Sequence, residues 1–274
     1  MINRNMTWIF LGLISVLSVY VGKELAGRQG LLVAFIFCFG LNSVIYFFSE
    51  EHLRGLFKSK ELEGQDPWNL TEKVNLLSLE FKIPPPKVYI SNIYSPTAIS
   101  VGKKPKDASL IVSHSLLEIL DPQELEAVVA HELYKIKHNL IFSSTVTSSL
   151  LGWVLKVSRL LDRLLGWRMS SPRLGFFTGL MAPIYKKLSS SGLSKKDYFA
   201  ADKAAVSVTK QPEILAKTLW KLDNYVRTKP EAIPMETAHM FFINPLPDQE
   251  EMEHFRIQPP VKERIKELVG QYPI

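Results

Sequence analysis

The chain has 274 residues, and 46% of them are hydrophobic, so it is long enough to bury a substantial core. Its formal net charge of +6 suits either nucleic acid or an anionic membrane surface, and the apolar segments described below favour the membrane over nucleic acid. Cys38 is the only cysteine, which excludes an intrachain disulfide and a cysteine-based metal site.

Two apolar segments open the chain, at residues 6–21 and 30–48. Each comes close to the ~20 residues that a membrane-spanning helix needs. A signal peptide is the alternative for the first segment. Residues 22–27 offer no small-x-small cleavage site, so we expect a membrane hairpin.

The orientation of this hairpin depends on the basic residues around it. They lie before and after the pair of segments (Arg4, Arg54, Lys58 and Lys60) and in the link between them (Lys23 and Arg28). The outer group favours a cytoplasmic N-terminus and main domain, and the link opposes that orientation.

A small sheet is expected in the next part of the chain. Residues 49–66 are mostly polar and are interpreted as a linker, and residues 71–81 carry leucines at helical spacing. Three short segments then have the composition of strands (88–90, 97–101 and 109–113). We therefore expect an antiparallel sheet packed beside a helix at residues 121–138.

That helix carries the pattern most indicative of chemistry. An N-cap and capping-box pattern begins it at Asp121, and His131 and Glu132 follow two to three turns later. A zinc-protease helix carries His-Glu-x-x-His, because positions i and i+4 place two imidazoles on one face. Here the i+4 residue is Lys135, whose ammonium group cannot ligate a cation.

A further pair of apolar segments follows this helix. Residues 140–155 are apolar but rich in Ser and Thr, residues 153–167 alternate leucines with basic residues, and residues 174–184 are too short to span a membrane. The middle stretch is typical of a helix that lies in a membrane interface, or of a surface helix with its apolar stripe on the core. The sequence leaves both interpretations open.

The charges in this region favour one side of the membrane. They are five cations and one acid (Lys156, Arg159, Arg163, Arg168, Arg173 and Asp162). Because short basic loops stay on the cytoplasmic side, we expect residues 140–188 to lie on or dip into the cytoplasmic leaflet without crossing it.

Three separate stretches share their pattern with one known family. Residues 95–102, followed by 108–120, are similar to its edge-strand hairpin, and residues 130–133 (Ala-His-Glu-Leu) are similar to the start of its zinc helix. Residues 194–204 are similar to the motif that holds its third zinc ligand. With the order of the apolar segments, these stretches make the chain resemble the HtpX family of bacterial membrane-embedded zinc metallopeptidases from end to end.

The departures from the family pattern concern the metal ligands. The resemblance implies His131 as first ligand, a second histidine where Lys135 stands, and a glutamate where Tyr198 stands. It also implies Glu132 as the general base and Asp202 as a residue that orients a zinc-bound histidine. Only His131 remains of the three expected ligands, so the chain is identified as a degenerate member.

Nearby residues do not replace the missing ligands. Asp197 is one residue away from the third-ligand position, about 100° around a helix, and His138 lies about 10 Å along the axis from His131. Leu140 and Gln258 are further departures, where relatives carry an acidic residue and a histidine.

Without a metal, the same side chains need other partners. We expect His131 to be a buried histidine bonded to Asp202, and Glu132 to pair with Lys135. Asp202 is a second expected partner of Lys135, whose single positive charge would stand in for the metal. Tyr198 is expected to pack against the helix.

The expected fold is α+β and mostly helical: a zincin-like metallopeptidase domain with a small antiparallel sheet, anchored by N-terminal transmembrane helices. Residues 1–50 are expected to form a two-helix transmembrane hairpin, and residues 140–190 a membrane-associated or transmembrane hairpin. Residues 51–139 and 191–274 would supply the first and second halves of the peptidase-like domain.

Two function classes follow from the resemblance. The favoured one is a non-catalytic pseudo-peptidase, with no cofactor expected, that binds a protein or peptide along an edge strand near Thr97, Ala98, Ile99 and Ser100 or at residues 109–113. The alternative is an active zinc-dependent membrane endopeptidase of protein quality control with a non-standard ligand set. Either would be a multi-pass protein of the bacterial inner membrane, with its main domain in the cytoplasm and no nucleic-acid partner.

Overall fold

The computed structural model describes residues 2–165, 175–229, 233–246 and 256–270. Its first element, α1 (Ile2–Leu56), consists of two helical arms separated at Ala26 and Gly27. Gly27 has φ +59° and ψ −137°, a combination that residues with a side chain rarely adopt, and the chain reverses there.

The two arms of α1 run back along each other. A Cβ atom on Gly22 would lie 2.6 Å from the carbonyl oxygen of Gly30, so glycine is needed for this close approach. Farther from the reversal, Asn42 donates a hydrogen bond of 2.9 Å to Ser15 Oγ. Residues 11–42 thus form a helical hairpin whose outward faces carry many exposed apolar side chains.

A four-stranded sheet follows α1. Its strands are β1 (Ser59–Glu61), β2 (Lys87–Ser91), β3 (Ala98–Val101) and β4 (Ser109–Ser113), in the spatial order β1-β2-β4-β3. The expectation of a purely antiparallel sheet is wrong, because β2 and β4 pair in parallel, in register from Lys87 with Ser109 to Ser91 with Ser113. The expected linker at residues 49–66 is also wrong, since α1 extends to Leu56 and β1 lies within it.

Helices cover the sheet and build the main core. They are α2 (Leu70–Phe81), α3 (His114–Ile119), α4 (Pro122–Lys137), α7 (Lys195–Thr209), α8 (Pro212–Thr228) and α9 (Val261–Val269). The capping box expected at the start of α4 is present, with Asp121 Oδ1 accepting from the Glu124 amide at 2.9 Å and Glu124 accepting from the Asp121 amide at 3.1 Å. Buried residues from β4, α4 and α8, such as Leu110, Val128 and Leu219, meet in one apolar cluster.

Two further helices, α5 (Leu140–Leu165) and α6 (Phe176–Gly192), pair with each other beside α1. The sequence suggested two segments over residues 140–167, whereas α5 is one continuous helix as far as Leu165. Leu151 and Leu155 of α5 join Leu11 and Ile45 of α1 in a second apolar cluster. The charged part of the link that falls at residues 166–174 lies outside the described residues.

Within the described residues, two helices are long and apolar enough to cross a membrane, Leu11–Leu56 and Leu140–Leu164. The end of α1 beyond the apolar stretch packs on the sheet, where Leu53 and Phe57 contact Ile99 and Phe241 in a third apolar cluster. The expected fold class, a mostly helical α+β protein with a small sheet and N-terminal membrane helices, is confirmed. The division into four segments stays a prediction.

Candidate functional site

The residues singled out in the sequence come from two helices that pack against each other. His131, Glu132 and Lys135 lie on α4, and Tyr198 and Asp202 lie on the facing side of α7. All five side chains are buried, none more than 2% exposed. The site is therefore part of the protein interior.

His131, Asp202 and Arg264 form a buried series of hydrogen bonds, with His131 at one end. Its Nδ1 lies 2.9 Å from Asp202 Oδ1, the contact expected from the sequence. Arg264 of α9 donates to both carboxylate oxygens of Asp202 at 2.7 Å and to the Phe242 carbonyl at 2.7 Å. The expected pairing of Asp202 with Lys135 is therefore wrong, because the planar guanidinium of Arg264 satisfies both oxygens at once.

These contacts set the protonation of the pair. Burial alone would raise the pKa of Asp202, but the adjacent Arg264 and His131 outweigh it and hold the pKa at about 2. Burial lowers the pKa of His131, and the neighbouring carboxylate only partly offsets that effect. The imidazole is thus neutral, with its proton assigned to Nδ1 facing Asp202 and a lone pair on Nε2.

Glu132 and Lys135 form a buried ion pair, as the sequence suggested. The ammonium nitrogen of Lys135 lies 2.9 Å from Oε1 and 2.8 Å from Oε2 of Glu132, and it also donates to the Met240 carbonyl at 3.0 Å. Ser100 donates to Glu132 Oε2 through its amide at 2.9 Å and its hydroxyl at 2.6 Å. The carboxylate is therefore engaged on both oxygens.

Tyr198 does more than pack against α4. Its hydroxyl lies 2.5 Å from the His239 carbonyl, 3.2 Å from the Phe241 carbonyl and 3.1 Å from Gln258 Nε2. Because a phenol has one proton, the shortest contact is the donated bond, and the two protons of Gln258 Nε2 go to its shorter contacts, the carbonyls of Phe241 at 2.6 Å and Ala238 at 3.0 Å. Burial raises the pKa of Tyr198 well above its ordinary value, so the phenol stays neutral.

These donors converge on one backbone segment, residues 238–242, which we name the carbonyl strap. Each of its five consecutive carbonyl oxygens accepts a hydrogen bond from a buried side chain of the site. The pairs are Gln258 with Ala238, Tyr198 with His239, Lys135 with Met240, Gln258 with Phe241, and Arg264 with Phe242. Three of the four departures named from the sequence, Lys135, Tyr198 and Gln258, donate hydrogen bonds to this segment.

The strap also brings a histidine that the sequence did not indicate. His239 is 1% exposed, and neither ring nitrogen has a hydrogen-bond partner of good geometry among the described residues. Burial lowers its pKa to about 4, and the charge of Lys135 acts in the same direction. His239 is therefore a second neutral buried imidazole close to Lys135.

The donor set does not fit a catalytic zinc ion. Such an ion needs three protein ligands and a water. His131 Nε2 is buried without a partner among the described residues, but the neighbouring expected positions hold an ammonium group and a neutral phenol that is already hydrogen-bonded. In the described part of the chain, no three His, Cys, Asp or Glu side chains converge as a metal-binding group.

Two other candidate ligands have structural roles. Asp197 caps the start of α7, where its Oδ2 accepts from the Ser194 amide at 2.8 Å and from the Ser194 hydroxyl at 2.6 Å. His138 ends α4 and stacks on Tyr134, with ring centroids 4.2 Å apart. Neither side chain points into the site, as helix geometry predicted.

The proposed groove residues Thr97, Ala98, Ile99 and Ser100 are each at most 1% exposed. Although β3 ends the sheet, the Ser100 amide binds Glu132 and the Gly102 amide donates to Thr145 Oγ1 at 3.2 Å. Strand β4, the other suggested edge, lies between β2 and β3. The expectation of an exposed edge strand is therefore wrong, because the protein itself covers that edge.

Arg264 and the strap were not recognised as site members from the sequence, and Ser100 was expected to line a groove instead of binding Glu132. Arg264 interrupts the apolar face of a short terminal helix at a fully buried position, and such a buried arginine requires an acidic partner. The arginine on this apolar face was therefore the one sequence feature that indicated a buried ion pair. The strap has no local signal, since its contacts are made through backbone carbonyls.

Comparison with known proteins agrees with this architecture. The pattern of Peptidase family M48 matches residues 65–271. A protease HtpX homolog from Thermodesulfovibrio yellowstonii is 31% identical, with 96% of each chain covered, and one from Methylibium petroleiphilum is 28% identical, with 100% of this chain and 99% of the relative covered.

Among solved structures, S. mikatae Ste24p is similar in fold, with a TM-score of 0.51 and 15% identity. That match covers 98% of this chain, which spans 65% of the Ste24p chain. The family match covers most of the sequence, and the similarity to HtpX homologues extends from one end to the other. The chain therefore belongs to peptidase family M48, as a member of its HtpX group of membrane metallopeptidases.

Proposed function

We propose that this HtpX-group protein is a pseudo-peptidase that acts at the membrane without hydrolysing peptides. One observation carries the proposal: the Lys135 ammonium lies buried between both oxygens of Glu132 and the Met240 carbonyl. A fixed positive charge on these groups occupies the position expected for the second metal ligand. The ion pair also makes Glu132 unavailable as a general base.

General-base catalysis requires a carboxylate within reach of a water or substrate proton. Glu132 already accepts from Ser100 and pairs with Lys135, and it has no exposed surface. A base in this position would have to release both partners before it could take a proton. The carbonyl strap contacts the same ion pair, because Lys135 also donates to the Met240 carbonyl.

A specific observation favours the alternative, an active zinc-dependent peptidase. His131 Nε2 is buried without a described partner, while Nδ1 is held by Asp202, which is the arrangement of an imidazole prepared for a metal. This alternative requires the Lys135 side chain to leave the site and another ligand to enter. We rank it second because Lys135 makes three short contacts where it lies.

For localisation, we propose a multi-pass protein of the bacterial inner membrane with its main domain in the cytoplasm. The apolar length of α1 and the basic residues Arg54, Lys58 and Lys60 after it support this orientation. A protein or peptide partner along β3 would have to displace Glu132 and Thr145 from backbone amides. We therefore place any partner contact on the outer surface, near the membrane.

The test is cleavage of an unfolded substrate such as casein by the purified full-length protein. We expect the wild type and its Glu132→Gln variant to be equally inactive, with or without a chelator. A Lys135→His, Tyr198→Glu variant restores the expected ligand set and shows whether the fold still supports chemistry. Chelator-sensitive cleavage by the wild type, lost in Glu132→Gln, would overturn the proposal in favour of the active peptidase.

A further inference from the structure

The first half of α5 is built into the body of the protein. Thr145 Oγ1 accepts from the Gly102 amide at the end of β3, and Ser148 Oγ donates to the Glu236 carbonyl beside the strap at 2.9 Å. Leu150 and Leu151 are buried in the cluster shared with α1. Residues 140–152 are thus packed against protein, on α1 as well as beside the strap and the end of β3.

The second half of α5 is different, because it shows an apolar stripe on its outside. The stripe follows helical spacing at Trp153, Val157, Leu160 and Leu164, with Trp153 47% and Leu164 71% exposed. Helix α6 continues the surface with exposed residues four positions apart (Phe176, Leu180 and Ile184). We name these seven side chains the apolar stripe.

The stripe is too short to span a membrane. Residues 153–165 extend about 20 Å beyond the buried half of α5, and residues 176–184 cover about 12 Å. The hydrocarbon core of a bilayer is ~30 Å thick. The described apolar surface of each helix therefore matches the depth of one leaflet.

Basic residues border the stripe. On α5 they are Lys156, Arg159 and Arg163, all exposed, and on α6 they are Lys186 and Lys187. The one acidic residue in the described part of this region, Asp162, is bound at the start of α6, where it accepts from the Phe177 amide at 2.7 Å and from Thr178 Oγ1 at 2.8 Å. The net field at the stripe is therefore positive.

The depth of this hairpin is indicated by α1. Lys156 lies within electrostatic range of His52, which is in the charged end of α1 beyond its apolar stretch. Leu151 and Leu155, just before it in α5, lie in the apolar cluster that contains Leu11 and Ile45 of α1. The stripe therefore begins where α5 passes from the apolar stretch of α1 to its charged end.

We propose that the apolar stripe is a membrane-docking surface that inserts into one leaflet of an anionic bilayer, on the side of the main domain, without crossing it. Apolar side chains enter the acyl boundary while the bordering cations contact lipid phosphates, as in other interfacial helices. The inference is independent of whether the site hydrolyses peptides. In this proposal α1 anchors the protein in the membrane, and the α5–α6 hairpin binds more strongly to a membrane surface with more negative charge.

The test uses the full-length Cys38→Ser protein in vesicles, with a fluorophore attached to a new cysteine at Leu164. Lipids carrying a quencher near the headgroup or deep in the acyl chain report its depth. We expect strong quenching by the shallow lipid and weak quenching by the deep one, whereas a label at Ile36 in α1, exposed in the described structure, should show the reverse.

Two outcomes would overturn the proposal. Deep quenching at position 164, or labelling there from the face opposite to a marker cysteine at Lys196, would show that the hairpin crosses. Absence of quenching by either lipid would show that the stripe does not contact the membrane.

A charge-reversal series tests the headgroup contact separately. Lys156→Glu, Arg159→Glu and Arg163→Glu together should weaken shallow quenching in phosphatidylglycerol vesicles, by about fivefold in local partition for each cation lost, and much less in phosphatidylcholine. The matched control reverses three exposed lysines elsewhere, Lys196, Lys210 and Lys266, and should change nothing. Equal loss in both lipids, or equal loss in the control, would contradict a role for surface charge.

Discussion

The site between α4 and α7 and the outer half of the α5–α6 hairpin carry charge in opposite ways. In the site, Glu132, Asp202, Lys135 and Arg264 are buried and paired, and their remaining bonds go to Ser100 and to the backbone carbonyls of Met240 and Phe242. On the hairpin, the cations are exposed beside an exposed apolar stripe. The comparison shows that the charges of the site are bound within the protein, whereas the cations of the hairpin remain exposed to solvent.

The largest expected effect is in the site. Lys135→Met keeps the length of the side chain but leaves Glu132 buried without its counter-charge, which should cost about 3–5 kcal/mol of unfolding free energy. Chemical denaturation in detergent measures it. The Lys135→Met, Glu132→Gln double variant should recover most of the loss, because no unpaired charge remains.

The matched control for this prediction is the exposed pair of Lys203 and Glu267, at 2.6 Å. Lys203→Met should change the free energy of unfolding by less than about 1 kcal/mol, since water screens exposed ion pairs. Equal losses at both lysines would show that the buried pair has no special role.

The two halves of α5 offer a second way to sharpen the comparison. Leu151→Ala, at a side chain that is 1% exposed, should cost about 2–5 kcal/mol through the cavity it leaves. Leu164→Ala in the stripe should stay within about 0.5 kcal/mol in detergent. Similar costs at both positions would mean that the stripe is packed against protein in solution.

The strap should make stability depend on pH. His239 has a pKa lowered to about 4, chiefly by burial and also by the charge of Lys135. The unfolded chain takes up this proton near pH 6.5 and the folded chain only near pH 4, so stability should fall by up to about 3 kcal/mol as pH drops between these values.

Thermal unfolding of the wild type and His239→Gln across this range measures the effect. The variant should show a shallower decline, although His131, whose pKa is also lowered, retains part of it. Identical profiles would show that His239 does not stay neutral in the folded protein.

The smallest predicted effect concerns Tyr198. Tyr198→Phe removes the hydrogen bond to the His239 carbonyl, which should cost about 1–3 kcal/mol. Tyr94→Phe, at a side chain that is 82% exposed, is the control and should be neutral within about 0.5 kcal/mol. A neutral Tyr198→Phe would show that the strap is held without this hydroxyl.

Local signals explain what could be predicted from the sequence. Capping residues around Asp121 and helical spacing placed His131, Glu132 and Lys135 on one helix, and the Glu132–Lys135 pair followed from an i,i+3 separation. The contact of His131 with Asp202 came from the family resemblance, because the two residues are 71 positions apart.

The remainder depended on tertiary contacts that leave no local pattern. Arg264, and not Lys135, is the partner of Asp202, because its guanidinium reaches both carboxylate oxygens. The two residues are 62 positions apart in the sequence, so no local pattern links them. The short strand β1 is half-exposed and polar, so it resembled a linker. The parallel pairing of β2 with β4 arises because β3 adds to the far side of β4 instead of lying between them.

The central claim is that the Lys135 ammonium takes the place of a metal in this M48 fold. Zinc content of the purified full-length protein after dialysis against a weak chelator tests it most directly, with Lys135→His, Tyr198→Glu measured beside the wild type. The account predicts no stoichiometric zinc in the wild type and a gain in the double variant. One zinc per wild-type chain, lost on changing His131 to Ala, would contradict it.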